Sequence, residues 1–124
     1  NQEHSLSPPD AYAEFRHGTL MIIDIRPASE RKRDGNIRGA AVAAFDRAAS
    51  ASQDFIDEVR ILVDGEATRK LAILCREGIT AVQARAVLFR AGFSSVFVIR
   101  GGFGGGDFDP GWILWGLPVE IEDK

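Results

Sequence analysis

At 124 residues and 45% hydrophobic content the chain can build one core but not two, so a single domain over residues 1–124 is expected. A formal net charge of -3 argues against a nucleic-acid partner, and no apolar run approaches the length needed to cross a bilayer, so no membrane contact is expected. One cysteine excludes an intramolecular disulfide, and with no paired histidines at ligand spacing neither a metal site nor another cofactor is expected.

Residues 1–6 read as a flexible N-terminal tail. The chain starts at Asn1 without a charged-then-apolar leader, which points to the cytoplasm unless a leader has been removed. Ser7-Pro8-Pro9-Asp10 reads as a helix start, with Ser7 as cap, Ala11, Tyr12 and Phe15 facing inward, and Gly18 as the stop. Leu20 to Ile25 is nearly continuously apolar, as a strand buried on both faces should be. Pro27 ends it, and a short helix over Ser29 to Arg33 follows. Its basic run Arg31-Lys32-Arg33 is flanked by Glu30 and Asp34, the pattern of a solvated helix face.

Ala41 to Phe45 is the next predicted strand, although alanine is a poor strand former. Phe55, Ile56, Val59 and Leu62 or Val63 give helical spacing over Gln53 to Val63. A strand ending at Cys75 and a helix over Thr80 to Arg90 form a strand-loop-helix unit, with Val82, Ala86 and Phe89 predicted to face the sheet and Gly92 as the stop. Ser95 to Ile99 is the last strand, and a glycine-rich stretch from Gly101 to Gly111 follows. The alternation of strands and helices is the pattern of a parallel sheet covered by helices.

Cys75 closes the apolar run Leu71-Ala72-Ile73-Leu74 and precedes Arg76-Glu77-Gly78-Ile79-Thr80. In such a turn backbone N–H groups can point inward beside the positive end of the next helix, which favours an anion on sulfur. The loop resembles the six-residue active-site loop of rhodanese-type sulfurtransferases. Other segments resemble the same family in the same order: Ile23-Asp24-Ile25-Arg26 with Glu30, Gly35 to Ala40, Ala91-Gly92-Phe93, Arg100-Gly101-Gly102-Phe103, and Trp112 to Val119. The resemblance spans about Ser7 to Glu120. It implies a rhodanese-like α/β fold, with a central, mostly parallel five-stranded sheet and helices on both faces.

It also implies sulfane-sulfur transfer. A Cys75 thiolate would take the outer sulfur of a small donor, thiosulfate or a persulfide, and pass it from a Cys75 persulfide to cyanide or a thiol, a protein thiol included. The helix terminus would activate the thiol without a base, which matters because His4 and His17 lie far from Cys75 in sequence.

Within the substrate-binding loop, Gly78 is expected to keep a Cβ out of the cradle, Thr80 to cap the helix and offer a hydroxyl, and Arg76 to orient an anionic donor. Glu77 stands where the thiosulfate-using loop Cys-Arg-Lys-Gly-Val-Thr is cationic, so thiosulfate is expected to be a poor donor. A less anionic persulfide or a partner protein then becomes the better candidate. Asp24, Arg26, Arg38 and Glu30 are expected to form a structural network, Trp112 and Trp115 to pack the C-terminal segment, and the glycine-rich stretch to be either a mobile loop or a lid.

Two rival functions stand beside this one. A cysteine phosphatase or arsenate reductase needs a longer loop ending in an arginine, and the sixth residue after Cys75 is Ala81. A non-catalytic rhodanese-like module would keep Cys75 as a partner-binding or redox-sensing thiol.

Overall fold

The protein is described by a computed structural model covering residues 4–46 and 52–121. In chain order the elements are β1 (Ser5–Leu6), α1 (Pro8–Arg16), β2 (Met21–Asp24), α2 (Ala28–Asp34), β3 (Ala41–Val42), α3 (Gln53–Leu62), β4 (Leu71–Leu74), α4 (Thr80–Arg90) and β5 (Val96–Ile99). The five strands form one sheet in the order β1-β5-β4-β2-β3, and every pairing is parallel. No helix among the described residues is long and apolar enough to cross a membrane.

Side-chain alternation along the strands divides the core in two. Ile23, Ile73, Val96 and Val98 meet Phe55 and Val59 of α3 and Leu88 of α4 on one face. Ile22, Leu74 and Ile99 meet Ala11 of α1, Phe103 and Trp112 on the other. Cys75 continues the alternation of Leu71 and Ile73, and so turns its sulfur toward the α4 side.

The predicted strands and helices are present, with differences that have physical causes. Ser5 and Leu6 do not belong to a tail: they pair with Val98 and Ile99 and supply the fifth strand. A two-residue edge strand carries too little pattern to be read from sequence. Strand β3 ends at Val42, short of the expected Phe45. Ala43 still donates to the Asp24 carbonyl at 3.2 Å, but the next N–H of that edge of β2, on Arg26, is taken by the Asp24 carboxylate at 3.0 Å, and the Ala44 N–H on the outer side goes to the Glu58 carboxylate.

Helix α4 is rotated from its expected phase. Ala81, Ala84 and Leu88 are fully buried, whereas Val82 and Phe89 are 58% and 54% exposed. Ala81 must face inward for its N–H to reach the Cys75 sulfur, and small alanines let the helix lie close against the sheet. The loop geometry thus outweighs the larger apolar side chains.

The first helix agrees with expectation: the Ser7 hydroxyl accepts from the Asp10 N–H at 3.2 Å. Trp112 is fully buried, stands edge-on to Tyr12 and donates to the Pro118 carbonyl at 2.9 Å, which fixes the C-terminal segment over α1. Trp115, expected to pack likewise, is half exposed.

Candidate active site

Parallel strands bring their C-terminal ends to one edge, so the residues that follow β2 and β4 become neighbours there. The Cys75 Sγ lies at that edge and accepts hydrogen bonds from the backbone N–H groups of Gly78 at 3.1 Å and Ala81 at 3.3 Å. Two amide donors aimed at one sulfur, beside the first turn of α4, stabilise negative charge on it. Cys75 is 5% exposed and borders an open cavity of about 280 Å³.

The other loop residues are distributed around this sulfur. Gly78 adopts φ +93°, and a Cβ there would stand 3.1 Å from the Gly101 nitrogen. Its need for glycine therefore comes from the left-handed backbone and from packing against the next loop, rather than from a side chain entering the cradle. Ile79 is 59% exposed and forms the N-cap of α4 with helical dihedrals. Thr80 is consequently the first helical residue, not the expected cap, and its side chain lines the cavity beside Cys75.

Arg76 also borders the cavity, but its guanidinium is held by Asp34 at 3.0 Å. The Arg33 hydrogen bond, chiefly, holds the Asp34 carboxyl below its ordinary range, and the charges of Arg33, Arg76 and Arg26 act in the same direction against its desolvation. Glu77 is exposed and faces a second groove of about 600 Å³ on the opposite flank of the loop, together with Ile79, Val82 and Phe108.

Behind the cavity, Arg26 and Asp24 form a buried pair. The Arg26 Nη2 and Nε donate to the Asp24 carboxylate at 2.7 and 3.0 Å, Nη2 also donates to the Gly35 carbonyl at 2.9 Å, and the guanidinium stacks on Phe103 at 3.9 Å. Arg38 takes no part in this network; it is exposed and pairs with Glu120. Glu30 does not pair with Arg26 either, although both line the Cys75 cavity.

The structure thus makes cavity walls of two residues that sequence reasoning assigned to architecture, and adds Phe45 and Asp46, which it missed. The available signal was position: all four follow the C-terminal ends of β2 and β3.

The glycine-rich stretch is joined to the Cys75 loop through backbone. Phe103 N–H donates to the Cys75 carbonyl and Gly104 N–H to the Arg76 carbonyl, both at 2.8 Å. Gly102 approaches so closely that a Cβ would lie within 2.4 Å of the Cys75 carbonyl oxygen. Its first residues therefore buttress the site, while Phe108 at the tip is 94% exposed.

A model of the rhodanese-like domain matches residues 7–106. The chain belongs to the rhodanese-like domain family. Among solved structures it is similar to a rhodanese-related protein of Thermoplasma volcanium, with 22% identity over 96% of this chain and 99% of that one and a TM-score of 0.67. It is also similar to Rv0390 of M. tuberculosis, with 21% identity over 95% and 97% of the two chains and a TM-score of 0.76. A protein of Rhodopseudomonas palustris described as a possible tyrosine phosphatase shares 25% identity over 94% of this chain and 84% of its own, with a TM-score of 0.69. No curated protein matches the chain. Among the described residues, the five-stranded parallel sheet with four helices shares the fold of these neighbours.

Proposed function

We propose that this rhodanese-like domain is a sulfurtransferase working through a persulfide on Cys75. The observation that carries the reading is the pair of N–H groups from Gly78 and Ala81 directed at Sγ, beside an open cavity. With thiosulfate as donor, the Cys75 sulfur forms a bond to the outer sulfur, the S–S bond of the donor breaks, and sulfite leaves with the electron pair. Cyanide or a thiolate then attacks the outer sulfur of the persulfide and restores the Cys75 thiolate. The two amides offer hydrogen bonds to the negative charge that the Cys75 sulfur carries in attack and regains on release.

The acidic setting disfavours thiosulfate relative to less charged donors. Glu77 brings negative charge to the loop, and Arg76, the cation expected to receive an anionic donor, is held by Asp34, a carboxylate it shares with Arg33. Donors and acceptors of lower charge, protein thiols among them, fit the loop better.

A phosphatase reading draws on the Rhodopseudomonas palustris neighbour. It requires an arginine clamping phosphate oxygens, yet Ala81 occupies the sixth place after Cys75, and Arg85 donates to the Val96 carbonyl at 2.7 Å. Incubation with thiosulfate, a small persulfide and a mercaptopyruvate-type donor, followed by intact mass measurement, tests the proposal. One added sulfur on the wild type and none on Cys75→Ser is the expected result; an unmodified wild type with every donor would count against sulfur transfer.

A further inference from the structure

The Cys75 cavity is walled in part by the loop itself, through Arg76 and Thr80, and in part by α2, through Glu30. The ion pair of Arg76 Nη1 with Asp34 Oδ2 at 3.0 Å ties these two walls together, because Asp34 is the last residue of α2. Asp34 does not itself line the cavity, so it acts on an occupant through Arg76.

Two cations line the cavity, and they differ in availability. Arg26 is buried and commits its Nε and Nη2 to Asp24 and Gly35. Arg76 is half-exposed, and its acceptor among the described residues is Asp34. Arg76 is therefore the cation open to an anionic donor. Asp34 is fixed for its contact with Arg76, since Arg33 Nε and Nη2 donate to its two carboxylate oxygens at 2.9 and 2.8 Å. The Arg76 guanidinium has further N–H donors, but an anion bound to them while Asp34 stays would stand beside a like charge. Donor and carboxylate thus compete for one cation.

Resting on the sulfur-transfer reading of Cys75, we infer that Asp34 is a specificity-determining residue, an internal competitor of anionic donors. It occupies Arg76 and so raises the concentration of thiosulfate that the site requires. Donors whose organic part is uncharged do not need Arg76 and escape the competition. The transfer step itself is unchanged.

The test measures sulfur loading on Cys75 by intact mass as a function of donor concentration, with thiosulfate and with the persulfide of 2-mercaptoethanol. Wild type, Asp34→Asn, Arg76→Gln and the double variant are compared. Asp34→Asn is expected to lower the half-saturating thiosulfate concentration about two- to fivefold, the range of one partly exposed ion pair, at an unchanged limiting rate. In the Arg76→Gln background the same substitution should change it less than about 1.5-fold, and the persulfide should show no such difference in either background. Asp34→Ser repeats the comparison without an amide oxygen that could keep hold of Arg76.

An unchanged half-saturation in both Asp34 variants, or a fall that persists in full without Arg76, would overturn the assignment. So would an equal fall with the persulfide. Loading from the persulfide with none from thiosulfate in any variant overturns only the role of Asp34; no loading from either donor overturns the sulfur-transfer reading as well.

Discussion

The two flanks of the Cys75 loop differ in what they are made of. Toward β2, the neighbours are charged side chains: the buried Asp24–Arg26 pair, half-buried Glu30, and Arg76 tied to Asp34 around a cavity of about 280 Å³. Toward β5, the neighbours are mainly backbone: Gly102 against the Cys75 carbonyl, with the N–H groups of Phe103 and Gly104 bonded to the loop. Beyond that backbone lies a wider groove edged by exposed Ile79, Val82 and Phe108. One flank can discriminate between ligands by charge, and the other fixes the loop so that its amides stay aimed at sulfur.

The largest effect is expected from breaking the charged flank at its base. Asp24→Ala leaves the Arg26 guanidinium buried without its carboxylate, and a loss of about 3–5 kcal/mol is expected from chemical denaturation. The backbone flank should be nearly as sensitive. Gly102→Ala puts a Cβ against the Cys75 carbonyl at φ +60°, and about 2–4 kcal/mol of stability should be lost through strain and overpacking. A near-neutral result at Gly102 would mean that the glycine-rich stretch does not buttress the loop.

Glu77→Lys should leave stability unchanged, since Glu77 is exposed, yet raise the thiosulfate rate by roughly two- to tenfold at low ionic strength. Added salt should shrink the gain, and an unaltered rate in a folded variant would remove the electrostatic argument.

The smallest effect concerns Asp34. Its carboxyl is held below the ordinary range, principally by Arg33, so its contribution is complete above the unfolded carboxyl's titration range and fades as pH falls through the lower folded value. A thermal series from neutral to acidic pH should show Asp34→Asn lacking that acid-side loss, with little difference near neutrality.

Much of this organisation is legible in the sequence where side-chain pattern determines structure. The apolar runs before Asp24 and Cys75 identify the central strands, Ser7 identifies the first cap, and the residues around Cys75 identify the loop. Where backbone determines structure, the pattern is silent. The contacts of Gly102 and Phe103 with the Cys75 carbonyl leave no signature in residue type beyond the glycines themselves.

Helix α4 shows a third case. Its phase follows from an amide that must reach sulfur, so counting apolar residues selected Val82 and Phe89 when Ala81 and Ala84 face the core. The closeness of Arg26 and Glu30 to Cys75 depends on β2 lying directly beside β4, and strand order is not written in local sequence.

The most direct test of the account is a two-step chase. Protein loaded with one sulfur from a persulfide donor is freed of donor, mixed with cyanide or a small thiol, and followed by intact mass and product assay. The account predicts that the added mass disappears as an equal amount of thiocyanate or new persulfide forms, with no loading of Cys75→Ser. Sulfur that loads equally on Cys75→Ser, or that remains on the protein while acceptor is in excess, would contradict it.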